Sequence, residues 1–120
     1  MARRANRLGT YAAQLRKIYA TRSDKRRRLL RRDCQEDGFV KCIGDCAYNI
    51  LKGNIPLSNR QKKNLSKHRK LLRTLAGSRN ALTTKRRLLV NQKGGAFLGA
   101  LLGPIISTLG GLLGGIFGKN

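Results

Sequence analysis

Apolar residues recur at helical spacing near the N-terminus of the chain. From about Leu8 onward they stand three or four positions apart, with charged residues between them. This spacing predicts an amphipathic helix whose outer face carries cations. The apolar positions are Leu8, Tyr11, Ala12, Leu15, Ile18 and Tyr19.

A second apolar segment, residues 34–57, contains few cations and predicts the buried helix of a small core. Cys42 and Cys46 are four residues apart and therefore share a helical face, where cysteine ordinarily acts as a small buried side chain. A zinc site would need Cys34, Cys42, Cys46 and His68, whose spacing matches no zinc module. We therefore predict no metal and no cofactor. No export signal precedes the cysteines, so we expect three thiols in the cytosol or nucleus.

The following segments predict two basic helices. Ser58 and Gln61 have the spacing of a capping box, and Gly77 is typical of a helix end. The apolar stripe of the first helix consists of Leu65, His68, Leu72 and Leu75. On that stripe, His68 fits a packed side chain or a phosphate contact better than a catalytic base. The second helix, KRRLLVNQK (residues 85–93), closes a three- or four-helix bundle.

The chain contains no alternating pattern of apolar and polar residues that would indicate a strand. We therefore predict an all-α fold that is partly disordered. It has a basic N-terminal helix, a small helical bundle and a Gly-rich hydrophobic C-terminal helix or peptide. The predicted division is a basic arm (1–33), a basic helical domain (34–95) and a hydrophobic tail (96–120).

The tail carries no charge between Ala96 and Gly118. As a helix this segment would be roughly 34 Å long, enough to cross a hydrocarbon core. Glycines four residues apart would let two such helices approach closely, whereas Pro104 is expected to kink or split the helix. The segment is thus a membrane-spanning helix, a membrane-active peptide or a peptide buried in protein. The residues predicted to contact membrane are Phe97, Leu98, Leu101, Leu102, Ile105, Ile106, Leu109, Leu112, Leu113, Ile116 and Phe117.

The charge of the chain points to a polyanionic partner. The 27 Lys and Arg residues against five acidic residues give a net charge of +22. Nucleic acid is the first candidate partner and anionic lipid the second. We also expect that the cations of residues 58–95 lack intramolecular partners, since this segment contains no acidic residue. The predicted DNA contacts are Arg3, Arg4, Arg7, Arg16, Lys25, Arg26, Arg27, Arg28, Arg31, Arg32, Arg60, Lys62, Lys63, Lys67, Arg69, Lys70, Arg73, Lys85, Arg86 and Arg87.

No enzyme is predicted from these residues. The sequence offers no paired carboxylates in a plausible site, no Gly-rich phosphate loop between a strand and a helix, and no nucleophile beside a base.

Two stretches carry a resemblance to known viral proteins. The basic body followed by Gln92-Lys93-Gly94-Gly95-Ala96 and an apolar end resembles the precursor of the adenovirus core protein X (mu). LKGNIPLSNRQKKNLSKHRKLLRTLA (residues 51–76) and KRRLLVNQKGGAFLGALLGPIISTL (residues 85–109) resemble small proteins that accompany adintoviruses and Maverick/Polinton elements. The resemblance implies a DNA-condensing body, a hydrophobic tail and cleavage by a viral cysteine protease. The cleavage site would comprise Gly94, Gly95 and Ala96.

The leading hypothesis is a virion core or minor structural protein, located in the virion and host nucleus. It would bind and condense double-stranded DNA without sequence preference. Its tail would contact membrane or capsid proteins, or self-associate, and would be released by cleavage after Gly95. The alternative is a tail-anchored membrane protein with a basic cytosolic domain. A third hypothesis is a membrane-lytic peptide carried on a basic leader.

Overall fold

Seven α-helices make up the described part of the chain, residues 2–21, 23–92 and 96–112 of a computed structural model. Side chains are described for residues 7–21, 25–92 and 96–107. The helices are α1 (Ala2–Ala20), α2 (Ser23–Asp33), α3 (Asp37–Leu51), α4 (Asn59–Ser66), α5 (Arg69–Ala76), α6 (Leu82–Val90) and α7 (Ala96–Leu112). The predicted all-α fold is confirmed for these residues.

Helix α3 lies at the centre of the fold. Ten of its fifteen residues are buried, and it packs against α1, α5, α6 and α7. Its apolar side chains lie on one broad side of the helix, whereas Asp37, Lys41 and Leu51 on the opposite side are exposed. Gly44 permits a close approach to α5, because a Cβ atom at this position would lie 2.7 Å from the Leu75 carbonyl oxygen.

Helix α1 covers α3 with the apolar stripe that the sequence pattern predicts. Leu8, Ala12, Leu15 and Ile18 are buried, whereas most of the side chains between them are exposed or half-buried. The ring of Tyr11 meets that of Phe39 edge to face, with the ring centroids 5.7 Å apart. The stripe fixes which side of α1 faces the core and leaves the cations of the other side in solvent.

The single basic helix predicted after Ser58 is two helices in the structure. The predicted capping box is confirmed, with the Ser58 hydroxyl and the Gln61 side chain each bonded to the backbone of the other residue. The helix is interrupted at Lys67 and His68. The interruption has a packing reason, because α4 contacts α7 whereas α5 contacts α3 and α6.

Helix α7 belongs to the same hydrophobic core as the other helices. It packs against α1, α3 and α4, and it continues through Pro104 without the break that the sequence suggested. The described residues of the three predicted segments, 1–33, 34–95 and 96–120, therefore contribute to one core. The radius of gyration is 13.1 Å, close to the roughly 13.6 Å of a compact domain of this length.

Candidate nucleic-acid interface

The first group of exposed cations lies on α2 and the end of α1. Leu30 and Asp33 are buried and hold one side of α2 against the fold. The opposite side therefore faces solvent, and it carries most of the basic residues of this segment. We call this group the α2 surface; its exposed members are Lys17, Lys25, Arg27, Arg28, Arg31 and Arg32.

A groove of about 320 Å³ runs between α1 and α2 within this surface. Its cationic lining residues are Lys17, Lys25, Arg28 and Arg32, and no carboxylate is among the lining residues. Arg32 also approaches the Asp33 carboxylate, with the Nε and Oδ1 atoms 3.2 Å apart. Four cations around one groove form a site suited to the oxygens of a phosphate backbone.

The second group of exposed cations lies on α4, α5 and the turn between them. Leu65, Leu72 and Leu75 are buried, so the polar sides of both short helices face outward. In the part of the chain that the structure describes, none of these cations forms an ion pair. We call this group the α4–α5 surface; its members are Arg60, Lys62, Lys63, Lys67, Arg69, Lys70 and Arg73.

The turn between α4 and α5 also contains His68, which is half-buried. Its ring meets that of Phe97 edge to face, with the centroids 5.4 Å apart. The sequence left two roles open for His68, a packed side chain and a phosphate contact. This geometry supports the packed side chain.

Three of the predicted DNA contacts make hydrogen bonds within the fold. The Arg7 guanidinium donates to both Asp45 oxygens, at 2.7 and 3.2 Å, and this hydrogen bond raises the pKa of Arg7. Arg26 donates to the carbonyl oxygens of Ile18, Tyr19 and Thr21, the residues that end α1. Cations at this end of a helix satisfy carbonyls that have no helical partner.

Arg86 is the third predicted DNA contact that bonds within the fold. Its contacts correct the expectation that the cations of residues 58–95 lack intramolecular partners. Its Nε atom donates to the Cys34 carbonyl oxygen at 2.6 Å, and its Nη2 atom pairs with the Asp37 carboxylate. Arg86 thus fastens α6 to the connection between α2 and α3. No sequence signal marks this pairing, because the partners are about fifty residues apart.

Lys85, also predicted to contact DNA, is buried with only 8% of its surface exposed. Burial lowers the pKa of its ammonium group, while the nearby Asp45 carboxylate acts in the opposite direction. The sequence did contain a signal for this burial. Lys85 stands three positions after Leu82 and four before the fully buried Leu89, so it falls on the inner side of α6.

The three cysteines are buried free thiols, as the sequence predicts. Burial raises the pKa of the Cys34 thiol to about 12, although the Arg86 charge acts against this rise. The hydrogen bond between Cys42 and Cys46, together with burial, raises the pKa of Cys46. Thiols held in the neutral form are poor nucleophiles and poor metal ligands.

Most of the described residues that were predicted to contact membrane lie in the protein core. Ile106 is half-buried and packs against the same cluster. The fully buried ones are Phe97, Leu98, Leu101, Leu102 and Ile105. Of the three roles that the sequence left open for this segment, the structure therefore favours burial in protein. Among the helices of residues 2–21, 23–92 and 96–112, none has the length and hydropathy required to span a bilayer.

Some predicted positions lie outside the described residues. They are Gly94 and Gly95 of the cleavage site, together with Leu113, Ile116 and Phe117. Arg3, Arg4, Leu109 and Leu112 have a described backbone but no described side chain. Ala96, the third residue of the cleavage site, is the first residue of α7 and is exposed.

Comparison with known proteins gives no relative from which a role can be transferred. No protein-family model, curated protein or solved structure matches this chain.

Proposed function

We propose that this protein binds double-stranded DNA through its phosphates, without sequence preference, and compacts it. The observation that carries the proposal is the contrast between exposed cations and engaged carboxylates. The described carboxylates are held by contacts with Arg7, Tyr11, Arg32 and Arg86. The cations of the α2 and α4–α5 surfaces consequently have few anions within the molecule to neutralise them.

The proposed mechanism is charge neutralisation. Each Lys or Arg that approaches a phosphate releases condensed counterions from the duplex, and this release favours binding at low salt. The α2 surface and the α4–α5 surface lie on different helices. These helices have different neighbours, because α2 packs against α1 and α6 whereas α4 packs against α7. Two such surfaces allow one molecule to hold two duplex segments, which supports compaction.

The proposal includes a role as a core or minor structural protein of a virus particle, in the virion and host nucleus. This part rests on the resemblance of residues 51–76 and 85–109 to adintovirus and Maverick/Polinton proteins. Its test is mass spectrometry of purified particles, in which the chain should be recovered with the packaged DNA. A peptide beginning at Ala96 would show that the predicted cleavage also occurs. Particles without the chain would refute the virion role.

The DNA-binding proposal is tested by the salt dependence of the affinity. If about eight phosphates are contacted, a plot of log affinity against log salt concentration should have a slope of roughly −7. Fluorescence anisotropy with a labelled 30-base-pair duplex between 0.05 and 0.4 M NaCl measures this slope, and unrelated duplexes of equal length should bind equally. A slope shallower than about −2 would contradict the proposal.

Paired charge variants show whether binding is local to the two surfaces. Lys25→Gln with Arg28→Gln removes two cations of the groove, and the slope should become shallower by about 1.8. Lys52→Gln with Arg79→Gln removes the same charge from exposed positions outside both surfaces and should leave the slope unchanged. Equal effects of the two pairs would show that net charge alone governs binding.

A further inference from the structure

A cavity of about 250 Å³ lies between α1, α3, α6 and the connection from α5 to α6. It belongs to neither of the two basic surfaces. Arg7, Lys41 and Lys85 line it, as do Ser78, Asn80 and Leu82. One carboxylate, that of Asp45, is also in the lining, where Arg7 donates to both of its oxygens.

Lys85 is the buried cation among the residues that line this cavity. As a whole residue it is 8% exposed, and its Nζ atom lies 4.0 Å from the position of a Cβ atom on Gly44. Within the described part of the chain, the ammonium group makes no hydrogen bond and no ion pair. The ammonium group still reaches solvent through the cavity, because no fully buried side-chain nitrogen or oxygen of the described residues lacks a partner. A cation that is largely surrounded by protein but unpaired favours an anion that enters the cavity.

The start of α6 adds to the positive potential. Leu82, the first residue of α6, lines the cavity, and the N-cap residue Ala81 provides no side-chain hydrogen bond. The backbone amides of a helix's first turn carry partial positive charge and lack helical acceptors. Lys85 therefore lies close to a helix end that itself favours an anion.

We propose that this cavity binds a phosphate dianion, as a free phosphate or a phosphate monoester. Three cations and one carboxylate give the lining a charge of +2 when Lys85 is protonated, and this charge matches a dianion. The anion would give Lys85 its missing partner and would lie near the α6 N-terminus, where phosphate groups are commonly held. The Ser78 hydroxyl offers a neutral donor at the rim, and the Asn80 amide, which already donates to the Thr74 carbonyl oxygen at 3.0 Å, has one further N–H.

The first test is calorimetric titration of the full chain with inorganic phosphate at constant ionic strength, NaCl being exchanged for sodium phosphate. One phosphate should bind per chain. Lys85→Met should weaken this binding at least tenfold, whereas Lys67→Met, which removes an exposed cation of α4–α5, should change it less than twofold. Equal weakening by the two variants would overturn the site, since it would indicate a diffuse effect of charge.

A second measurement needs no variant and remains informative if Lys85→Met does not fold. The lysines of the wild-type chain are acetylated with a limiting amount of reagent, with and without phosphate, and quantified by peptide mass spectrometry. Phosphate should slow the labelling of Lys85 at least threefold and leave Lys67 unchanged. Labelling of Lys85 that does not respond to phosphate would overturn the proposal, because phosphate would then not cover its ammonium group.

The source of the phosphate is identified by the same labelling assay with three further probes. These are a nucleoside monophosphate and two duplexes that differ only in a 5′-phosphate. Selective protection by the phosphorylated duplex assigns the site to a DNA end, and protection by the mononucleotide alone assigns it to a small phosphate ester. Either result supports the site, whereas failure of all these probes and of inorganic phosphate refutes it. The salt dependence of DNA binding does not require this cavity, so the two proposals fail separately.

Discussion

Gly44 shows how a single missing side chain determines the spacing of two helices. The Leu75 carbonyl of α5 occupies the space that a Cβ atom would need. The obstacle is backbone and not the end of a flexible side chain, so it cannot move aside without shifting α5. The contact between α3 and α5 therefore depends on this glycine.

We expect Gly44→Ala to lower the free energy of unfolding by about 1–3 kcal/mol, because overpacking outweighs the better helix propensity of alanine. Gly9→Ala is the matched control, since a Cβ atom there would meet nothing within 4 Å. That substitution should raise the stability by about 0.5–1 kcal/mol. Urea unfolding followed by circular dichroism measures both changes, and equal shifts of the two midpoints would contradict the argument.

The sequence identified many of the exposed cations but could not separate them from the cations used inside the fold. Arg28 and Arg31 are exposed as expected, and their neighbour Arg26 instead caps the end of α1. The amino-acid composition does not distinguish these three arginines. The difference is one of position, since Arg26 lies in the first turn of α2, where its guanidinium reaches the carbonyls at the end of α1.

At the scale of the helices, α6 links parts of the chain that are distant in sequence. Arg86 joins it to the Cys34 carbonyl and to the Asp37 carboxylate, while the next residue, Arg87, is exposed. Two adjacent arginines with the same charge therefore have different structural roles.

We expect Arg86→Met to cost about 1–3 kcal/mol of unfolding free energy, because the carbonyl of the buried Cys34 loses its donor. Arg87→Met removes the same charge from the same helix and should stay within about 0.5 kcal/mol of the wild type. Thermal or urea unfolding of both variants tests this difference. Comparable losses would mean that charge, and not the hydrogen bond to Cys34, sets the stability of this region.

The helices themselves could largely be predicted, because periodicity and caps are local signals. The stripe from Leu8 to Ile18 and the capping box of Ser58 are examples. The break at His68 could not be predicted from the sequence, since it depends on α4 and α5 packing against different neighbours. Burial in protein was only one of the three roles that the sequence left open for α7. An uncharged apolar helix suits a bilayer and a protein core equally well, and the faces of α1 and α4 decide between them.

At the scale of the whole molecule, the chain has a net charge of +22, and the extents of the structure are 34 × 30 × 29 Å for the part of the chain that it describes. At 0.01 M salt the Debye length is about 30 Å, so cations on opposite sides of the molecule repel one another. At 0.1 M it falls to about 10 Å, and only neighbouring charges still interact. The isolated protein is therefore expected to be least stable in dilute buffer.

We expect the melting temperature of the free protein to rise steadily as NaCl increases from 0.01 to 0.3 M, because salt screens this repulsion. Differential scanning calorimetry measures the rise. A variant with Lys62, Lys63, Arg69 and Lys70 changed to Gln has a smaller net charge, and its melting temperature should depend less on salt. A melting temperature that falls with salt would show that attractive ion pairs dominate instead.

The burial of α7 changes what a cut between Gly95 and Ala96 would accomplish. Hydrolysis would remove the covalent link but not the contacts of Phe97, Leu101 and Ile105 with the rest of the core. Each such side chain contributes about 1.5–3 kcal/mol when buried. The two products would then behave as complementing fragments of one fold. Proteolysis would turn a fixed helix into an exchangeable ligand, whose departure depends on dilution or on a competing apolar surface.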